Sequence, residues 1–233
     1  IYRFNITKPT FSMIAFRQIL KIGLPAGIQG SLFSISNVII QSSVNSFGAM
    51  VMAGNSAAIS VEAFVFTSLD AVNQASIASV SQNMGAREYG RTKKAVLCCL
   101  LMEFVIGGVM GWLMILFSNT LIGIYTPEPE AIAAGALRIT ILGVVYFTNG
   151  MQHLMGGVMR SHGYSMMPTI VTFLGICGFR IIWIFTVFAA NRTLETLYIG
   201  YPISWVITLI AQSACYLIFR KKAWEKNEAR KKI

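Results

Sequence analysis

The sequence predicts an all-α membrane protein built from six transmembrane helices, and three observations carry that prediction. Only 12% of its 233 residues are charged while 55% are hydrophobic. A soluble domain carries about 25% charged residues, so this chain holds too few to coat a globule. Six segments are apolar and long enough, at about 20 residues or more, to cross a hydrocarbon core of about 30 Å. The basic residues punctuate those segments: 16 of the 19 Lys and Arg fall in four clusters, Arg3 to Lys21, Arg87 to Lys94, Arg160, and Arg220 to Lys232. A nucleic-acid binder would gather its charge on one soluble module, so the net charge of +10 reads as membrane topology. No nucleic-acid partner is expected.

The spans are expected at roughly 22–47, 51–82, 94–118, 130–159, 166–190 and 194–219. The first, third and fifth connections together hold one basic residue, Arg192; the other two and both termini hold the 16 clustered ones. The positive-inside bias then places both termini in the cytoplasm of a multi-pass protein of the cell inner or plasma membrane. No secretory signal opens the chain, because basic and apolar residues alternate from Ile1 to Lys21 without a small-residue cleavage site.

Helix one carries Ser34, Asn37, Gln41 and Asn45 at i, i+3, i+7 and i+11, which puts them on one face. In lipid such a face must turn toward protein or water. Gly23 and Gly27 have the spacing that lets helix backbones approach closely. In helix two, Asn55, Glu62 and Asn73 share a face; Glu62 lies about 16 Å below Val51, near the midplane, and Asp70 about 28 Å below it, near cytoplasmic water. A charge at membrane depth is a functional candidate, so Glu62 is the first choice for coupling to a cation, with Asn55 and Asn73 flanking it and Asp70 second. In helix three Glu103 shares a face with Gly107 and Gly111. It is expected to be buried against another helix, with an Arg as a candidate partner.

Helix four offers Tyr146, Asn149, Gln152 and His153 at i, i+3, i+6 and i+7, a second polar cluster in which the His is either a group able to titrate near neutral pH or a hydrogen-bonded packing residue. Arg138 and Arg180 lie in the outer halves of helices four and five and are expected to snorkel or bond carbonyls. Helix six repeats the polar row with Tyr201, Ser204, Thr208 and Gln212. Six polar-striped helices predict a water-lined cavity. A non-transporting membrane scaffold would instead show dry, apolar faces.

Enzyme signatures are poor, and none is assigned. His153 and His162 straddle a helix end, Cys98 and Cys99 are adjacent, and Cys177 and Cys215 stand alone. Neither a metal cage nor a disulfide framework is signalled. Without a Gly-rich phosphate loop, ATP is not the expected energy source. Asn191-Arg192-Thr193 fits a glycosylation pattern, but it hugs the membrane.

Several runs resemble the multidrug and toxic compound extrusion transporters. They are Gly23-Leu24-Pro25-Ala26-Gly27, Ser81-Gln82-Asn83-Met84-Gly85-Ala86 followed by Arg87 to Lys94, and Gly156-Gly157-Val158-Met159-Arg160-Ser161-His162-Gly163 with Pro168 after it. Ile35 to Gly54 is similar to a branch common in Gram-positive bacteria. The resemblance spans roughly 17–222 and implies one C-terminal six-helix half of a two-fold pseudo-symmetric twelve-helix transporter. Residues 1–16 then read as the end of an amphipathic linker and 223–233 as a basic cytoplasmic tail. The resemblance also implies export of small organic cations by antiport with sodium or protons, no other cofactor, and an N-terminal half as partner within the bilayer. Some family members place ion-binding carboxylates where this chain has Phe33 and Asn149, so no sodium site transfers directly. A lipid or lipid-linked sugar flippase of related plan would favour a more basic cavity.

Overall fold

A computed structural model describes residues 12–229, so most of the expected 1–16 linker lies outside the described residues. The regular elements are helices throughout: α1 (Met13–Asn45), α2 (Ala49–Gly85), α3 (Tyr89–Leu116), α4 (Ser118–Gly123), α5 (Pro129–Gly143), α6 (Tyr146–Ser161), α7 (Met166–Phe188) and α8 (Leu194–Ala229). Of these, α2, α3, α7 and α8 are each long and apolar enough to cross a membrane, and α5 with α6 makes a fifth such span. Helix α1, with 33 residues, is long enough to be the sixth. Helix α8 runs on to Ala229, so the expected tail from 223 is helical that far; 230–233 lie outside the described residues.

Local chemistry explains the breaks. Gly48 at φ 103° and Gly163 at φ 86° turn the chain after α1 and after α6, in a region open to glycine at no steric cost. Pro129 opens α5 at its first position, where a missing N–H costs nothing.

The fourth expected span, 130–159, is not one rod. It breaks at 144–145 and bends by 56° between α5 and α6. The bend is where α3 presses in. A Cβ on Gly107 would meet Phe147 Cα at 2.7 Å, and one on Gly143 would meet Gly111 O at 3.0 Å. The glycine stripe of α3 therefore packs backbone to backbone against the bend, which is how helices associate where lipid removes the hydrophobic drive. Gly54 and Gly135 make the same kind of crossing between α2 and α5. The expected close approach at Gly23 and Gly27 is absent: both face open space among the described residues.

Helix α2 is central, packing on α3, α5 and α6. It threads two apolar clusters, one containing Val61, Leu69, Leu142 and Trp205, the other Val80, Met84, Leu154 and Tyr216. Phe104, Trp112, Phe185 and Ile210 face outward, as lipid allows. The polar row of α8 is partly a packing face: Ser204 and Thr208 are fully buried, and Thr208 fills the space beside Gly175 of α7. Their hydroxyls are satisfied within the protein, so they line no water.

Candidate functional site

The residues expected to form one cavity fall into two separate groups. The first is a charge network buried at its centre. Arg138 of α5 donates from Nε to Glu62 Oε1 at 2.7 Å and from Nη2 to Oε2 at 3.1 Å. Its Nη1 donates to Asn55 Oδ1 at 2.9 Å, which also accepts from Tyr198 OH at 3.3 Å. Asn55 in turn donates to Gln41 Oε1 at 3.0 Å, and Gln41 to Asn45 Oδ1 at 2.9 Å. Tyr146, the first residue of α6, donates its hydroxyl to the Glu62 backbone carbonyl at 3.1 Å. The Tyr201 ring lies 4.9 Å from the Arg138 guanidinium and 4.1 Å from that of Arg180, and Arg180 Nε donates to Ser204 Oγ at 3.0 Å.

Two expectations change here. Arg138 does not snorkel: it is held at depth by the Glu62 carboxylate, and the one carbonyl oxygen it bonds there is that of the Asn55 side-chain amide. Glu62 is not an isolated carboxylate flanked by Asn55 and Asn73: it is already neutralised by a bidentate partner. Asn73, eleven residues on, belongs elsewhere. Tyr198 is the member that the sequence did not single out; Arg138 and Tyr201 stand out in the sequence, but nothing there places them beside Glu62.

The second group lies at the seam between the two apolar clusters. Asn73 Nδ2 donates to Asp70 Oδ1 at 3.2 Å and lies 3.2 Å from His153 Nδ1. That imidazole nitrogen is 3.6 Å from Asp70 Oδ1, and both side chains are about a third exposed, at 34% and 35%. Gln74 Nε2 reaches Asp70 Oδ2 at 3.5 Å, and the Phe66 ring packs on His153 with centroids 5.4 Å apart. Gly157 makes room for this junction, since a Cβ there would collide with the Asn73 amide oxygen.

His153, Asn149, Gln152, Gln74, Arg160 and Gln212 line a cavity of about 580 Å³. Gln152 donates to Asn149 at 3.4 Å and Gln212 to Thr172 at 2.9 Å. Asn37 is half-buried on α1, and no hydrogen bond among the described residues joins it to either group. The side chain of Phe33 lies outside the described positions.

Glu103 is fully buried. Its carboxyl packs against Gly150 of α6, and neither oxygen finds a hydrogen-bond partner among the described residues. The expected burial is there, but the candidate Arg partner is not.

Comparison with known proteins gives a consistent result. Residues 25–186 match the family model described as MatE. The chain is 27% identical over 208 residues to the probable multidrug resistance protein YoeA of Bacillus subtilis, covering 88% of this chain and 44% of that protein. It is 26% identical over 216 residues to the probable multidrug resistance protein NorM of Thermotoga maritima, with 91% and 45% covered. Among solved structures, the eukaryotic MATE transporter AtDTX14 superposes with a TM-score of 0.82 at 16% identity, over 95% of this chain and 51% of that one. A MOP superfamily transporter from Pyrococcus furiosus gives 0.78 at 16% identity, over 87% and 44%. The structural likeness shows the fold. The chain spans about half the length of the relatives it matches.

Proposed function

The chain belongs to the MatE family, and on that premise we propose that it is one six-helix half of a secondary transporter that exports organic cations in exchange for protons or sodium. Family members are transporters and not enzymes. The partner is a second, N-terminal six-helix half facing the cavity, and both termini of this half lie on the cytoplasmic side of the cell membrane, where the basic clusters gather.

One observation supports the reading above the others: Asp70 and Asn73 meet His153, which lines the polar cavity. In the neutral imidazole with its proton on Nε2, the tautomer that fits the Asn73 N–H, Nδ1 accepts from the Asn73 amide. Protonated, the same nitrogen carries a hydrogen that clashes with the Asn73 N–H, so it must turn to the Asp70 carboxylate. A carboxylate engaged by imidazolium is unavailable to a cationic cargo, and a cargo on the carboxylate opposes protonation. That is the mutual exclusion an antiporter needs. The groups reaching Asp70 are N–H donors, whereas hard cations take oxygen ligands, which favours a proton over sodium. Asn149, Gln152 and Gln212 then offer polar contacts to the cargo, with Gln41 and Asn37 on α1 nearer the partner half. Glu62 and Arg138 hold α2 to α5 above the bend and position the site.

The test is export of ethidium by the full-length transporter in everted vesicles with an imposed proton gradient. Asp70→Asn should abolish proton-driven export while membrane expression stays normal. Export at the unaltered rate would sink the assignment.

A further inference from the structure

The end of the bundle where α2 passes into α3 and where α8 finishes carries groups that belong to neither of the two groups described above. Residues 87–94 and 220–229 together hold eight Lys and Arg against three Glu, and among the described residues no ion pair joins them. Instead the end of α8 is clamped onto the turn. Tyr89 stacks on Trp224 with centroids 5.2 Å apart, and its hydroxyl donates to Glu228 Oε1 at 3.0 Å. Asn227 Nδ2 donates to the Met84 carbonyl at 2.7 Å. Lys93 Nζ lies 5.0 Å, and the Arg220 guanidinium 6.0 Å, from the Trp224 ring.

Three donors here are buried and find no acceptor among the described residues: Arg87 Nε, Arg220 Nε and Trp224 Nε1. Burying a donor unpaired is costly, and here three such donors sit among uncompensated positive charge. Their height is informative. Counted from the far ends of their helices, Leu116 and Leu194, Lys93 and Arg220 lie about 35 and 39 Å away, just past a hydrocarbon core of about 30 Å. One turn inward on the same two helices, Leu97 and Leu217 are exposed at 59% and 56%.

We infer that this clamp binds the phosphate of an anionic phospholipid headgroup, with Lys93, Arg220 and Trp224 around the phosphate and Leu97 and Leu217 beside the acyl chains. A free phosphate would use the donors but not the leucines. Basic clusters beside a membrane span bind anionic lipid through the same electrostatics, and an indole at headgroup height suits the interface.

The experiment is quenching of tryptophan emission by brominated lipids in the full-length protein, reconstituted in phosphatidylcholine vesicles. The Trp224 share is the difference from a Trp224→Phe variant. Brominated phosphatidylglycerol should quench that share at least about twofold more than brominated phosphatidylcholine at equal fraction. The excess should vanish in Lys93→Gln/Arg220→Gln and persist in Arg192→Gln at the opposite end. Equal quenching by the two lipids in the unaltered protein would overturn the inference without any variant having to fold. So would an excess that survives the double substitution, or one that inorganic phosphate removes.

Discussion

Glu62 and Arg138, 76 residues apart in sequence, face each other edge to edge, two guanidinium nitrogens against two carboxylate oxygens at 2.7 and 3.1 Å. Removing one member of a buried pair leaves the other charge stranded, at a cost of about 3–5 kcal/mol, whereas replacing both with apolar groups is often neutral or better. Glu62→Gln should therefore lower the melting temperature of the purified transporter and reduce export through lost structure. Glu62→Leu/Arg138→Met should recover most of the stability, and a double-mutant cycle on thermal melts reads the coupling. A double variant as unstable as the sum of the singles would count against the pair as a structural clamp.

The basic clusters also fix an orientation that labelling can check. A cysteine at Glu128 should react with an impermeant thiol reagent in intact cells. One at Gly90 should react only after the membrane is opened. The reverse pattern would invert the proposed topology.

The helices were legible because hydropathy and charge are local properties, and the α3 glycine stripe because spacing alone defines it. The pairing of Glu62 with Arg138 left a weaker signal. Glu62 is thirteen residues into α2 and Arg138 nine into α5, so if both helices start at one face the charges lie about 20 and 14 Å deep, close enough to meet. Unpaired charges at that depth are expensive, so opposite signs at similar height are themselves a mark of a pair. The bend at 144–145 was not legible, since no proline marks it and its cause is the backbone of α3. Asn73 shares a helical face with Glu62 in the sequence, but a helix that crosses several partners gives one face several neighbourhoods.

Glu103 makes a different prediction. With both oxygens unpartnered and buried against Gly150, its carboxyl contributes shape and no hydrogen bond. Glu103→Gln should leave the melting temperature and ethidium export near those of the unaltered protein. Gly150→Leu, which drives a side chain into the carboxyl, should destabilise by about 1–3 kcal/mol through overpacking. A severe loss of export in Glu103→Gln at normal expression would mean that this carboxyl takes part in the transport cycle.

The exchange between proton and cargo can be read at equilibrium, without turnover. If neutral His153 leaves Asp70 free and imidazolium engages it, cargo affinity must rise with pH across the range in which the imidazole loses its proton. Linkage then requires cargo binding to expel a proton, because coupling between two ligands at one site is reciprocal. Ethidium binding to the purified full-length transporter, followed by fluorescence polarisation, should tighten as pH rises, and weakly buffered solution should acidify on binding by up to one proton per dye. His153→Gln keeps a hydrogen-bonding side chain beside Asn73 but cannot take up the proton. It should bind ethidium with little dependence on pH over that range and release almost none. Asp70→Asn should bind weakly at every pH, because the carboxylate itself is gone. A steep pH dependence that survives in His153→Gln would place the exchanging proton on another group.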